Sequence, residues 1–62
     1  MMQFVTQSGR YLVTSHGNGW AYEVTDTETG ASVWAQDDDA IQMEQHTNKF
    51  ENEDSINDYF LE

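Results

Sequence analysis

Cysteine is absent from this 62-residue chain, which excludes disulfides, thiolate zinc sites and cysteine nucleophiles and leaves the redox compartment unmarked. Cations are nearly absent, with one arginine, Arg10, and one lysine, Lys49. Neutralising phosphates takes several such side chains, so direct nucleic-acid binding is not expected. No apolar run approaches the roughly 20 residues of a membrane span, and the start of the chain has neither a basic segment nor the apolar stretch of about 7–15 residues that marks a secretory signal. The expectation is a soluble, intracellular protein. Acids, too, are missing from part of the sequence: residues 1–22 contain no Asp or Glu.

All twelve carboxylates fall in residues 23–62, against the single cation Lys49, a balance of −11, while the first 22 residues carry about +1. A field of one sign attracts the opposite sign and repels its own, so the partner expected is cationic. Sixty-two residues make one domain, and at this size only about 60% of the unfolded chain's surface is buried on folding. Two Trp, three Tyr and three Phe compensate with roughly 150–250 Å² of buriable surface each. An ordered domain is therefore expected despite the net charge of −10, and a homodimer would be a second source of support.

The first two-thirds reads as strands between glycine turns, at about 2–7, 10–16, 19–26 and 31–36. Ser8-Gly9 divides the first two, as a turn or a bulge. His16-Gly17-Asn18-Gly19 supplies the positive φ of a tight hairpin. Trp20, Tyr22 and Val24 alternate with Ala21, Glu23 and Thr25, the period of a half-buried strand. Asp37-Asp38-Asp39 then marks a helix start, since Asp caps free N–H groups and suits the positive dipole end. Ala40, Met43, Thr47 and Phe50 follow at helical spacing, with Ile41 adjoining, and predict a helix over about 38–50. The alternation of Ile41 and Met43 with Gln42 and Glu44 leaves a strand at 40–45 as the rival reading. Ser55-Ile56-Asn57-Asp58 resembles a capping box and opens a short helix at about 54–61. The fold class expected is α+β, an antiparallel sheet of three or four strands with two helices. Trp20, Tyr22, Val24, Met43, Phe50, Ile56 and Phe60 are its expected core. Trp34 shares a face with Ser32 and Gln36 and is expected outside, as an anchor for a partner or a second subunit.

Catalysis is not expected. No nucleophile-elbow pattern surrounds Ser8, Ser15, Ser32 or Ser55, and the acids fall in polar runs where no apolar pocket raises a pKa. Asp37-Asp38-Asp39 and Glu51-Asn52-Glu53-Asp54 concentrate hard oxygen ligands but fit no metal loop. His16 and His46 stand 30 residues apart with no second histidine at i+3 or i+4. No metal and no cofactor are expected, and His16-Gly17-Asn18-Gly19 lacks the cation and the following helix of a phosphate-cradling loop.

The acidic surface is thus the candidate site. Asp37, Asp38, Asp39, Glu44, Glu51, Glu53, Asp54 and Asp58 form its main part, and Glu23, Asp26 and Glu28 a second patch, with Trp34 as a further partner-binding residue. A compact chain of this length spans roughly 27 Å. Duplex DNA carries about 16 charges over that distance and a single strand half as many; the −11 of residues 23–62 lies between. In size, acidity and lack of catalytic motifs, the chain resembles the small phage-encoded inhibitors that mimic nucleic acid, a class that includes anti-CRISPR proteins, uracil-DNA glycosylase inhibitors and restriction inhibitors. The likeness is one of character over the whole chain and carries no residue's role across. It implies a DNA- or RNA-mimicking inhibitor of a basic nucleic-acid-binding protein, in the cytoplasm of a bacterial or archaeal host cell. The alternative is an acid-adapted interaction or dimerisation module whose charge serves solubility, which would place acids on every exposed face.

Overall fold

The two-residue alternation becomes four strands in a computed structural model that describes residues 2–61, with the backbone alone at Asn18. They are β1 (Met2–Val5), β2 (Tyr11–His16), β3 (Ala21–Asp26) and β4 (Ser32–Gln36), followed by α1 (Asp38–His46) and α2 (Glu53–Asp58). The sheet is antiparallel in the order β1-β2-β3-β4, so the α+β class stands and residues 40–45 are helical.

Register decides the two faces. Val13 pairs with Phe4 and with Val24, and Val24 with Val33, while Tyr22 opposes Ser15 and Ala35. These side chains share the inner face, where Ala40, Met43, Phe50 and Ile56 from the helical half close one hydrophobic cluster. Gln3, Val5, Leu12, Thr14, His16, Ala21, Glu23, Thr25, Ser32, Trp34 and Gln36 fall on the outer face by the same alternation. Neither helix covers that face. Its own rings do so in part: His16 and Trp34 approach to 5.0 Å across Ala21, which has no exposure.

Several expectations about helix ends and core change. The first helix stops at His46 instead of continuing to Phe50, because Asn48, Lys49 and Phe50 all take positive φ, 52°, 56° and 68°. Thr47 organises the break: its hydroxyl donates to Met43 O at 2.6 Å and accepts from the Phe50 N–H at 3.0 Å. A side chain in this left-handed region costs roughly 1–2 kcal/mol. The cost is offset by turning Phe50 inward, where it meets Tyr22 edge-on at 4.8 Å and Phe4 at 5.9 Å. The stripe Ala40, Met43, Thr47 and Phe50 is therefore buried, its last member by a turn and not by a helix.

Asp37 takes φ 54° and makes no side-chain cap bond, so the start of α1 has the charge of the aspartates without the hydrogen bond expected of the first. The second helix begins at Glu53, two residues before the expected box, because Asn52 is its cap and accepts from Ser55 N–H at 3.2 Å. Trp20 is 51% exposed, contrary to expectation. Gly17–Gly19 forms a 3-10 turn that Trp20 closes in αR geometry, its N–H donating to Gly17 O. The strand alternation begins only at Ala21, and Trp20 never enters it. Phe60 is half-buried, stacked on Tyr11 at 5.7 Å, and Trp34 is 50% exposed as expected.

Candidate partner-binding surface

The carboxylates divide between three places. Glu23 lies on the outer face of the sheet, the single acid there among the described residues. Asp26 and Glu28 sit at the hairpin between β3 and β4. The remaining eight described acids belong to the helical half: Asp37, Asp38, Asp39 and Glu44 on and before α1, Glu51 in the turn after it, and Glu53, Asp54 and Asp58 on α2.

Within the hairpin patch, Asp26 is no surface group. Its side chain points inward opposite Tyr11 and is 2% exposed. Arg10 donates to it at 3.0 Å, and Glu28 N–H at 2.9 Å. The Arg10 hydrogen bond, ahead of that backbone bond, holds the Asp26 carboxyl below the usual carboxylate range. Arg10 also pairs with Glu28 at 3.1 Å. The second patch is thus reduced to an exposed, partly neutralised Glu28, with Glu23 apart from it on the sheet.

In the helical half several acids are also engaged. Glu53 accepts from the Ser8 and Thr6 hydroxyls and from Ser8 N–H. The Ser8 hydroxyl is the larger reason that its carboxyl is held below the ordinary value, followed by Thr6. Glu44 accepts from the Tyr22 hydroxyl, which pushes the Tyr22 phenol up to about 12, with burial as the second cause. Glu51 accepts from the Asn48 amide at 3.1 Å, and Asp58 lies 3.4 Å from the exposed His46. Asp37, Asp38, Asp39 and Asp54 are exposed and enter no ion pair among the described residues. The free charge therefore concentrates at the two helix starts.

A broad groove of about 1000 Å³ runs beside β4, lined by Val33, Trp34 and Ala35 on one side and by Asp39, Gln42, His46, Asp58 and Tyr59 on the other. Sequence reasoning did not find it, because only the fold brings the end of α2 next to α1. Among the described residues no three His, Asp or Glu side chains converge on a common metal position, and no helix is long and apolar enough to cross a membrane. The His16 Nε2 atom is buried without a hydrogen-bond partner among the described residues, and the His16 ring packs against Trp34.

An α+β fold with an acid-bearing helical layer and an acid-poor sheet face is what the described residues define. No family model, no curated protein and no solved structure matches the chain.

Proposed function

We propose that the chain binds and inhibits a basic nucleic-acid-binding protein by presenting the carboxylates of its helical layer where that protein holds phosphates. The observation that carries this reading is the segregation of charge among the described residues: eight acids lie in the helical half, while the outer sheet face has Glu23 alone. Gln3, Val5, Ser32, Trp34 and Gln36 are exposed on that face, and acids retained only for solubility have no reason to avoid such positions. Scale agrees with the reading. The molecule measures 26 × 22 × 19 Å, and one nucleic-acid strand carries roughly eight phosphates over the longest of these distances, close to the number of acids in the helical layer.

Competition tests it. A basic groove cannot hold both this layer and a phosphate backbone, because each requires the same Lys and Arg side chains. A host protein retained on the immobilised chain at low salt should be released by rising salt and by added DNA or RNA. A stable ternary complex of chain, partner and nucleic acid would exclude direct replacement of phosphates. The second reading, a dimerisation module, draws on the exposed Trp34 and Val5 of the outer sheet face. It requires a concentration-dependent dimer in sedimentation that shields Trp34 from solvent.

A further inference from the structure

One wall of the groove beside β4 is formed by an open strand edge. β4 pairs with β3 and is the last strand of the sheet. Asp26 N–H donates to Ala31 O at 2.8 Å, and Asp37 N–H to Trp20 O at 3.0 Å. One bond thus joins residues 26 and 31 at one end of the ladder and 20 and 37 at the other, and the alternation of an antiparallel ladder makes Val24 with Val33 and Tyr22 with Ala35 the hydrogen-bonded pairs between them. The N–H and C=O groups of Ser32, Trp34 and Gln36 consequently point away from β3, along the free edge. The strand itself carries no protecting device: Ser32–Gln36 has no charge, no proline and no glycine, and pairs with β3 without a bulge. Strand edges in monomeric proteins are usually protected by such devices. Facing the edge stand Asp39 and Asp58, with Asp58 shared by His46.

We infer that β4 accepts an extended, arginine- or lysine-bearing segment of the partner as a fifth strand. Main-chain hydrogen bonds engage Ser32, Trp34 and Gln36, and alternate side chains of the added strand bring cations to Asp39 and Asp58. This rests on the proposed function and specifies how the basic partner is held. Charge selects this occupant over a second copy of the chain. Pairing β4 with β4 about a twofold axis would place the Asp39 and Asp58 walls of two molecules together, each molecule carrying −10. The other open edge, β1, contributes no residue to the groove.

The test uses an acetylated hexapeptide of alternating arginine and valine, its counterpart N-methylated at alternate residues, and a glutamate–valine control, each added to the ¹⁵N-labelled chain. At saturation with the first peptide, hydrogen exchange at the Ser32, Trp34 and Gln36 amides should slow by about tenfold or more, with no change at Met2–Val5. The N-methylated peptide, unable to complete the ladder on one edge, should bind about tenfold or more weakly. The glutamate peptide should leave the amides unchanged. Asp39→Asn with Asp58→Asn should weaken arginine-peptide binding and make it less sensitive to salt, while the three amides remain protected at saturation. Equal binding of the N-methylated peptide, absence of protection, or a salt dependence unaltered by the double substitution would overturn the inference. So would protection that appears without peptide and grows with protein concentration, which would assign the edge to a second copy. Failure here is separable from failure of the proposed function. A partner displaced by nucleic acid that leaves the β4 amides unprotected removes the added strand and retains mimicry; a partner that protects them and resists nucleic acid does the reverse.

Discussion

Asp26 and Glu53 spend their lone pairs inside the molecule, one on Arg10 and the Glu28 N–H, the other on Ser8 and Thr6, and both carboxyls lie below the ordinary range as a result. A folded-state value below the unfolded one means that each contributes stability above the unfolded carboxylate range, around pH 4, and that this contribution is lost as pH falls through the folded value. Thr6→Val combined with Ser8→Ala should raise the Glu53 titration midpoint towards an ordinary glutamate, measured by carboxyl-carbon NMR; an unmoved midpoint would show that the hydroxyls do not hold it. Tyr22 runs in the opposite direction. Its phenol, raised to about 12 by Glu44, contributes stability that is complete below the free tyrosine value of about 10 and lost as pH rises through about 12. Glu44→Ala should lower the Tyr22 midpoint, followed through its ring-carbon shifts. None of these partners was legible in the sequence, where Glu53 and Glu44 look like any other acid in a polar run. Thr6 and Glu53 lie 47 residues apart, and no local pattern encodes a contact at that separation.

At the scale of elements, the segment after α1 shows where periodicity is sufficient and where it is not. The spacing of Ala40, Met43, Thr47 and Phe50 identifies which residues are inside, since a stripe depends on position along one face. The same spacing cannot report that the last step is made by three left-handed residues, because Asn48, Lys49 and Phe50 include no glycine to announce the turn. Trp20 illustrates the converse. Its alternation with Tyr22 and Val24 is present in the sequence, but the 3-10 turn at Gly17–Gly19 ends one residue too late for Trp20 to be extended. Strand existence was legible because glycine turns punctuate alternating runs; the helix cap at Asn52 was not, because Ser55 offers an equally good start. Phe50→Ala should cost about 3–5 kcal/mol, enough to unfold most of a domain this small, as measured by urea denaturation or, for a largely unfolded variant, by loss of amide dispersion. Lys49→Gly should raise stability by about 0.5 kcal/mol, relief of the positive φ exceeding the added freedom of the unfolded chain. The comparison belongs at high salt, where the lost charge has little effect, and a destabilised glycine variant would mean that the turn stores no such strain.

For the whole molecule, one charge distribution acts on two equilibria with opposite signs. Net −10 repels itself in the folded chain, so salt should raise the melting temperature of the free protein while weakening its association with a basic partner. Replacing Asp37, Asp38 and Asp39 by Asn separates the two further. Asp37 makes no side-chain cap bond, so the folded state loses mainly a dipole interaction of about 0.3–1 kcal/mol, against which reduced repulsion works. Partner association should slow and its salt dependence should flatten. An association rate unchanged at low and moderate salt would count against mimicry. The asymmetry behind this prediction was partly visible in the sequence, in the acid-free first 22 residues. Those residues supply β1, β2 and the start of β3, and so most of one sheet face. The groove beside β4 required the fold.

In the order β1-β2-β3-β4, every strand pairs only with its neighbours along the chain, so each pairing closes a short loop and the entropy of bringing strands together is spent in small steps. With no cysteine to oxidise and no proline to isomerise, the reactions that delay folding by seconds to hours are missing. Refolding from urea should be complete within about a second, in one exponential phase. For a protein whose proposed task is to reach a basic groove before nucleic acid does, the time between synthesis and competence would then be set by the ribosome and not by the fold.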